Sequence, residues 1–190
     1  MSAPTRTPYH HGGLRAVILA ETARLVAERG ADGVSLRQLA REAGVSHAAP
    51  AHHFTDRRGL FTALAAEGFR MLAEALKAVR PNFIDAALAY VRFAIDNPGH
   101  YAVMFDRSLV DTTDPELAAA ELAAGSELSQ GVATLADPHA KADRPGAELA
   151  AWSLVHGFAL LWLNESVPAA VAAVDPMVTV ERIARMLFDG

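Results

Sequence analysis

Residues 35–57 read SLRQLAREAGVSHAAPAHHFTDR and gather hydroxyl, guanidinium and imidazole groups of the kinds that bind phosphates and base edges. Ser35, Arg37, His52, His53 and Arg57 are candidates for phosphate contacts, which fix position on a nucleic acid without reading its sequence. Ser46, His47, Ala48 and Ala49 form a second group, in which His47 can hydrogen-bond a purine edge and the alanines can meet thymine methyls. Metal chemistry fits these residues poorly. His10-His11 and His52-His53 are adjacent pairs whose rings point in different directions, not i,i+4 pairs that share a face. The chain also lacks a paired Glu-x-x-His, a His-Glu-x-x-His, a phosphate loop and a Gly-x-Ser-x-Gly. No metal, no cofactor and no enzymatic activity are therefore expected.

To present these groups the chain must form two short helices joined at Gly44-Val45-Ser46. Leu36, Leu39, Ala40 and Ala43 give the first a buried stripe, with Ser35 as N-cap and Gln38 completing a capping box. Pro50 restricts the second, because proline lacks an N–H for the carbonyl four residues back and biases Ala49 away from helical angles. That helix must be short, starting at Ser46 or His47 and ending near Phe54. Two such helices with a tight glycine turn form a helix-turn-helix, whose second helix can lie in the DNA major groove.

The rest of the chain reads as helix with no strand signal. Leu14, Val17, Ile18, Ala20, Leu25 and Val26 fit one face of a first helix that Gly30 ends, and Ala31-Asp32-Gly33 is a turn. A fourth helix runs from near Asp56 to about Val79, and Arg80-Pro81 breaks it. Five further helices are expected near 82–97, 99–107, 114–136, 146–165 and 175–188, separated by proline-containing breaks. The fold is thus all-α: a helix-turn-helix head over residues 1–55, a connecting helix over 56–79, and a helical body over 80–190.

Charge follows the same division. The net charge of −5 splits into +4 over residues 1–80 and −9 over residues 81–190, and five of the eight histidines lie in the first part. A locally basic head on an acidic body suits phosphate binding, because the field near the contact governs steering. Cysteine is absent, which excludes disulfide scaffolds and Cys nucleophiles. The opening MSAPTRTPYHHGG lacks a signal-peptide core, and the apolar run Leu149–Leu163 is interrupted by Ser153 and His156, short of the ~20 residues of a membrane span. A cytoplasmic protein with no membrane partner is expected.

With these residues in place, the chain resembles the TetR family of transcriptional regulators. The likeness rests on Glu28-Arg29-Gly30, the string VSLRQLAREAGVS at Val34–Ser46, His52-His53-Phe54, and an arginine at the start of the fourth helix. HHGGLR (His10–Arg15), SHAAP (Ser46–Pro50) and Trp152 with His156-Gly157 resemble the branch of the family named for its Trp-His-Gly body signature. Many relatives carry tyrosine where this chain has Ala51, so a backbone contact is lost there or passes to His52 and His53.

The resemblance implies a ligand-responsive repressor that binds a palindromic operator on double-stranded DNA as a homodimer and is released by a small, mostly apolar effector. The alternative is an adaptor that keeps the head's fold without specific DNA binding. It also implies an effector pocket in the body, for which Phe83, Tyr101, Met104, Phe105, Trp152 and His156 are the candidates. Ala159, Leu160, Leu163, Val180, Ile183 and Leu187 are the candidates for the dimer interface, with the fourth helix as the lever between pocket and head.

Overall fold

In the computed structural model, which describes residues 11–46 and 48–188, every regular element is helical. Helix α1 (His11–Arg29) stops at Gly30, whose φ of +73° suits a residue without a Cβ. One 3-10 turn (Ala31–Gly33) leads into α2 (Leu36–Glu42). Ser35 caps α2, its Oγ accepting from the Gln38 N–H at 3.3 Å. The expected capping box is only half formed, because Gln38 turns its side-chain amide toward Glu42 and donates to Oε1 at 2.9 Å.

Gly44, at φ +65°, makes the turn into α3, which spans only Ala49–Phe54. That start is later than the expected Ser46 or His47. Pro50 sits in the first turn, where its missing N–H costs nothing, and Ala48 becomes the cap. Ser46 is exposed and precedes the helix. His47 and the side chain of Ala49 lie outside the described residues. Helix α4 (Arg57–Lys77) follows at once, capped by Asp56, whose Oδ1 accepts from the Gly59 N–H at 2.8 Å.

The body continues with α5 (Phe83–Asp96), α6 (Pro98–Met104), α7 (Pro115–Val132), α8 (Pro138–Ala142), α9 (Arg144–Leu163), α10 (Ala169–Ala172) and α11 (Pro176–Phe188). Pro98, Pro115, Pro138 and Pro176, which read as breaks, prove to be helix starts. Asp114, Asp137 and Asp175 each accept from a backbone N–H at 2.7–2.8 Å just beyond the proline that follows them. Two segments expected to be irregular hold the short helices α8 and α10, while α6 and α7 end earlier than expected, at Met104 and Val132.

One hydrophobic core runs through head and body. It joins Leu25, Leu39 and Phe54 to Phe61 and Leu64 of α4, then to Val91, Val103 and Val155. Helix α4 has its most extensive contact with α7, and α6 lies between α1 and α4. That position depends on glycine. A Cβ at Gly99 would lie 1.9 Å from the Ala23 carbonyl oxygen, and one at Gly68 would lie 2.6 Å from Met104 Sδ.

Helix α9 departs from the sequence reading. At 20 residues it is long and apolar enough to cross a bilayer by length and composition, and only 22% of its apolar window is buried. Leu149, Trp152, Leu160 and Leu161 are exposed along it. Gly157 has open space around the Cβ position.

The glycine contacts set up a contrast between two helices. Gly99→Ala is expected to lower the free energy of unfolding by about 1–3 kcal/mol, the usual cost of overpacking. Gly125→Ala in α7, where a Cβ meets nothing within 4 Å, should raise it by about 0.5–1 kcal/mol. Urea titration followed by circular dichroism measures both, and a neutral Gly99→Ala would refute the close approach of α6 to α1.

Candidate nucleic-acid interface and effector cavity

The outer surface of the helix-turn-helix carries Ala48, Ala51 and His52, all exposed, with exposed Arg37 on α2. Arg37 and Arg41 have no hydrogen-bond or ion-pair partner among the described residues. Ser35 is exposed but its hydroxyl is engaged in the cap of α2. His53 is half-buried, borders a groove shared with Arg15, Asp56 and Arg58, and lies edge-to-face with His52.

Arg57 corrects the expectation of a phosphate contact. Its guanidinium turns inward, where Nε donates to the Val34 carbonyl at 3.1 Å and Nη2 to the Ala31 carbonyl at 2.8 Å. The group also lies 4.8 Å from the centre of the Phe61 ring. Arg57 therefore ties the α1–α2 connection to the start of α4. Its partners are two loop carbonyls, which no side-chain pattern announces, and at 3.5 Å the exposed Asp32 carboxylate.

Other head cations are committed as well. Arg24 bridges Glu21 and Glu28 at 2.5 Å and Glu42 at 3.0 Å, and Arg29 reaches Glu42 at 3.0 Å. The hydrogen bond from Gln38, then that from Arg29, holds the Glu42 carboxyl down at about 2. The acidic side chains of α1 and α2 are thus matched within the protein, leaving Arg37 and Arg41 as the unmatched charges of α2.

In the body, a cavity of about 440 Å³ opens between α4, α5, α7 and α9 and the end of α6. Its walls include Phe69, Leu72 and Leu76 of α4, Tyr90 of α5, and Ala124, Gly125 and Leu128 of α7. Of the sequence candidates, Met104, Phe105, Trp152 and His156 line it. Phe105 packs edge-on to His156 with ring centres 4.5 Å apart. Two candidates do not line it. Tyr101 stands behind the wall, its hydroxyl 2.7 Å from His156 Nδ1. Phe83 belongs to a separate cluster with Val132, Leu135, Ala140 and Ala151.

The cavity residues missed from sequence are those of α4 and α7, together with Tyr90 of α5 and Arg107. Leu72 and Leu76 look like any core stripe, and Ala124-Gly125 offers no side chain to notice; their smallness is what leaves the space. Polar groups gather at one wall. Tyr90 OH lies 3.1 Å from His156 Nδ1 and 3.5 Å from Tyr101 OH, and Trp152 Nε1 donates to it at 3.3 Å. Burial pushes the Tyr90 phenol up to about 12, pushes Tyr101 up as well, and pushes the His156 imidazole down. Near neutral pH all three are uncharged. At the rim, Arg107 pairs with Glu121 at 2.8 Å.

The dimer candidates divide. Ala159 and Val180 are fully buried inside this chain, so they pack α9 and α11 together and offer no surface to a second copy. Leu160 is 41% exposed, and Leu163 and Ile183 are half-buried. The side chain of Leu187 lies outside the described residues. Exposed apolar residues that the sequence reading passed over are Leu161, Val178 and Met186.

Two family models match this chain, one described as bacterial regulatory proteins, tetR family, over residues 18–64 and one as tetracyclin repressor-like, C-terminal domain, over 83–187. The repressor AcnR of Corynebacterium efficiens is 32% identical over 108 residues, covering 55% of this chain and 54% of that protein. AcnR of Corynebacterium glutamicum is 31% identical, covering 62% and 61%. The chain therefore spans only a little over half the length of these relatives. Among solved structures, a Rhodococcus sp. RHA1 protein of unknown function is 33% identical with a TM-score of 0.75, covering 96% of this chain and 97% of that one. AibR, solved with isovaleryl coenzyme A and operator DNA, shares the fold at 16% identity and a TM-score of 0.63, covering 92% and 98%. With its head and its body each matched, the chain belongs to the TetR family of bacterial regulatory proteins.

Proposed function

We propose that the protein is a DNA-binding transcriptional repressor that acts as a homodimer and releases its operator when a small, mostly apolar molecule fills the cavity. The observation that carries this reading is the outward face of the helix-turn-helix, where Arg37, Ala48 and His52 stand exposed on a head whose carboxylates are already matched. On this reading Arg37, with His52 and His53, touches the DNA backbone, while Ser46, His47, Ala48 and Ala49 approach the bases. The work divides near residues 55 and 80, with the head on DNA and the body holding effector and partner, in the cytoplasm.

The open face of α9 supports the dimer. Leu160 and Leu161, with Val178 and Met186 of α11, leave an apolar surface that a second copy would cover, and Gly157 has room for a partner helix. A twofold axis through this face presents two α3 helices to a palindrome. AcnR is a repressor and AibR was solved with both an acyl coenzyme A and operator DNA, which supports a regulator that takes both a small molecule and an operator here.

Coupling needs a ligand that prefers one head spacing over another. Phe105 and Met104 line the cavity at one end of α6, while Gly99 near its other end touches α1. The segment after α6 is fastened to the first turns of α4: Arg58 Nε donates to the Val110 carbonyl at 3.0 Å, and the Asp111 N–H donates to Thr62 Oγ1 at 2.8 Å. Helix α4 begins directly behind α3 and carries three cavity residues itself. A coupling of ~1–3 kcal/mol through these contacts would lower operator affinity about 5- to 150-fold.

Footprinting of the DNA upstream of the protein's own gene tests the reading, and binding with no preference over competitor DNA would sink it. Two arginines are expected to behave differently in the same assay. Arg37→Ala should weaken operator binding and flatten the log-affinity against log-salt slope by about 1, with stability unchanged. Arg57→Ala should leave that slope intact and lower the unfolding free energy by about 1–3 kcal/mol, since two buried-side carbonyls lose their donor. Leu161→Glu should shift the protein from dimer to monomer in light scattering, and a variant that stays dimeric would place the interface elsewhere.

A further inference from the structure

Resting on the reading of the cavity as an effector site, we propose that it selects a neutral, flat aromatic molecule with one hydrogen-bond acceptor, such as an aryl ketone, and that His156 Nε2–H donates to that acceptor. The walls explain the flat aromatic part. Phe69, Tyr90, Phe105 and Trp152 all border the space, and stacked or edge-on ring contacts favour a planar guest. The charges explain the neutrality. The charged side chains lining the cavity, Arg107 and Glu121, are paired with each other, so an ion entering it would give up hydration with no free counter-charge.

The acceptor follows from counting hydrogens in the polar cluster. Trp152 Nε1 can only donate, and it donates to Tyr90 OH. If His156 Nδ1 accepts from Tyr101 OH at 2.7 Å, Tyr90 can pass its own hydrogen to the Tyr101 oxygen at 3.5 Å. Every hydrogen then has an acceptor. If Nδ1 instead carried a hydrogen, the indole, the imidazole and two phenols would bring four hydrogens to two oxygens. Two phenols cannot donate to each other at once, so one phenol hydrogen would be left without an acceptor inside the cluster. The cluster thus sets the tautomer and places the ring's single hydrogen on Nε2.

That donor is available. Nε2 has no hydrogen-bond partner among the described residues, and the side-chain polar atom sealed without a partner among them is Thr179 Oγ1, not this nitrogen. His156 itself lines the cavity, and burial keeps the imidazole neutral. The cluster accordingly ends in one directed donor within an aromatic wall, and a guest with a single well-placed carbonyl matches it.

Three probes of one shape test this on the full-length protein by calorimetry: 2-acetylnaphthalene, 2-ethylnaphthalene and 2-naphthoate. The ketone is expected to bind at least as tightly as the hydrocarbon despite its stronger hydration, and the carboxylate at least about tenfold more weakly than the ketone. His156→Phe should shift the ketone-to-hydrocarbon affinity ratio about tenfold toward the hydrocarbon. Because that variant can disturb packing, long-range nitrogen–proton NMR on the unsubstituted protein gives a second readout, with His156 expected as the Nε2–H tautomer. An Nδ1–H tautomer, an unchanged ratio in His156→Phe, or tightest binding by the carboxylate would overturn the proposal while leaving the cavity as an effector site. No binding by any of the three would overturn both.

Discussion

The close approach of α6 to α1 is the constraint on which the rest of the architecture depends. Gly99 has no side chain, so the backbone of α6 reaches the Ala23 carbonyl where any Cβ would collide. That contact seats α6 against the head and lets one core run from Leu25 to Val155. It also sets where α6 ends, and with it Met104 and Phe105 at the cavity wall. A larger residue would push α6 outward and separate head from body. The cavity is therefore not an isolated hollow in the body. One of its walls is the far end of an element pressed on the helix-turn-helix head.

Electrostatics of the head follow a related economy of position. An acidic chain can bind DNA only if its positive groups are left unmatched on the binding face. Here the carboxylates of Glu21, Glu28 and Glu42 are gathered around Arg24 and Arg29, and Arg57 is spent on loop carbonyls. These interactions stiffen the packing of α1, α2 and α4. They leave Arg37 and Arg41 as the free cations of α2 among the described residues, so a formal count of arginines overstates what the head offers to phosphate.

How much of this could be read from the sequence varied with the range of the interaction. Caps and helix starts were legible, because Ser35, Asp56 and Asp114 act on backbone two or three residues away. The aspartate-proline pairs were misread only in sense: they end nothing that they do not also begin. The short α3 was legible from Pro50, although its start moved to Ala49. Longer-range facts were hidden. Arg57 resembled a surface cation because its partners are carbonyls more than twenty residues earlier. Ala159 and Val180 looked like interface residues because an apolar stripe does not say whether its own chain or a second copy will cover it. The α7 wall of the cavity was invisible for the opposite reason, since Ala124 and Gly125 matter by what they lack.

Helix α9 brings these threads together, because two faces of one helix serve two surfaces. Trp152 and His156 border the cavity, while Gly157, Leu160 and Leu161 lie on the open side. A helix apolar nearly all round with only 22% of its window buried must be covered by something else, and on the dimer reading that is its twofold mate. On that reading a guest that shifts His156 would also tilt the seam between subunits, since side chains one residue apart on a rigid helix cannot move independently. In such a dimer the distance between the two α3 helices would depend on that seam as well as on α4 and α6. On the dimer reading, ligand and operator would be linked through two routes, one inside each subunit through α6 and α4 and one between subunits through α9.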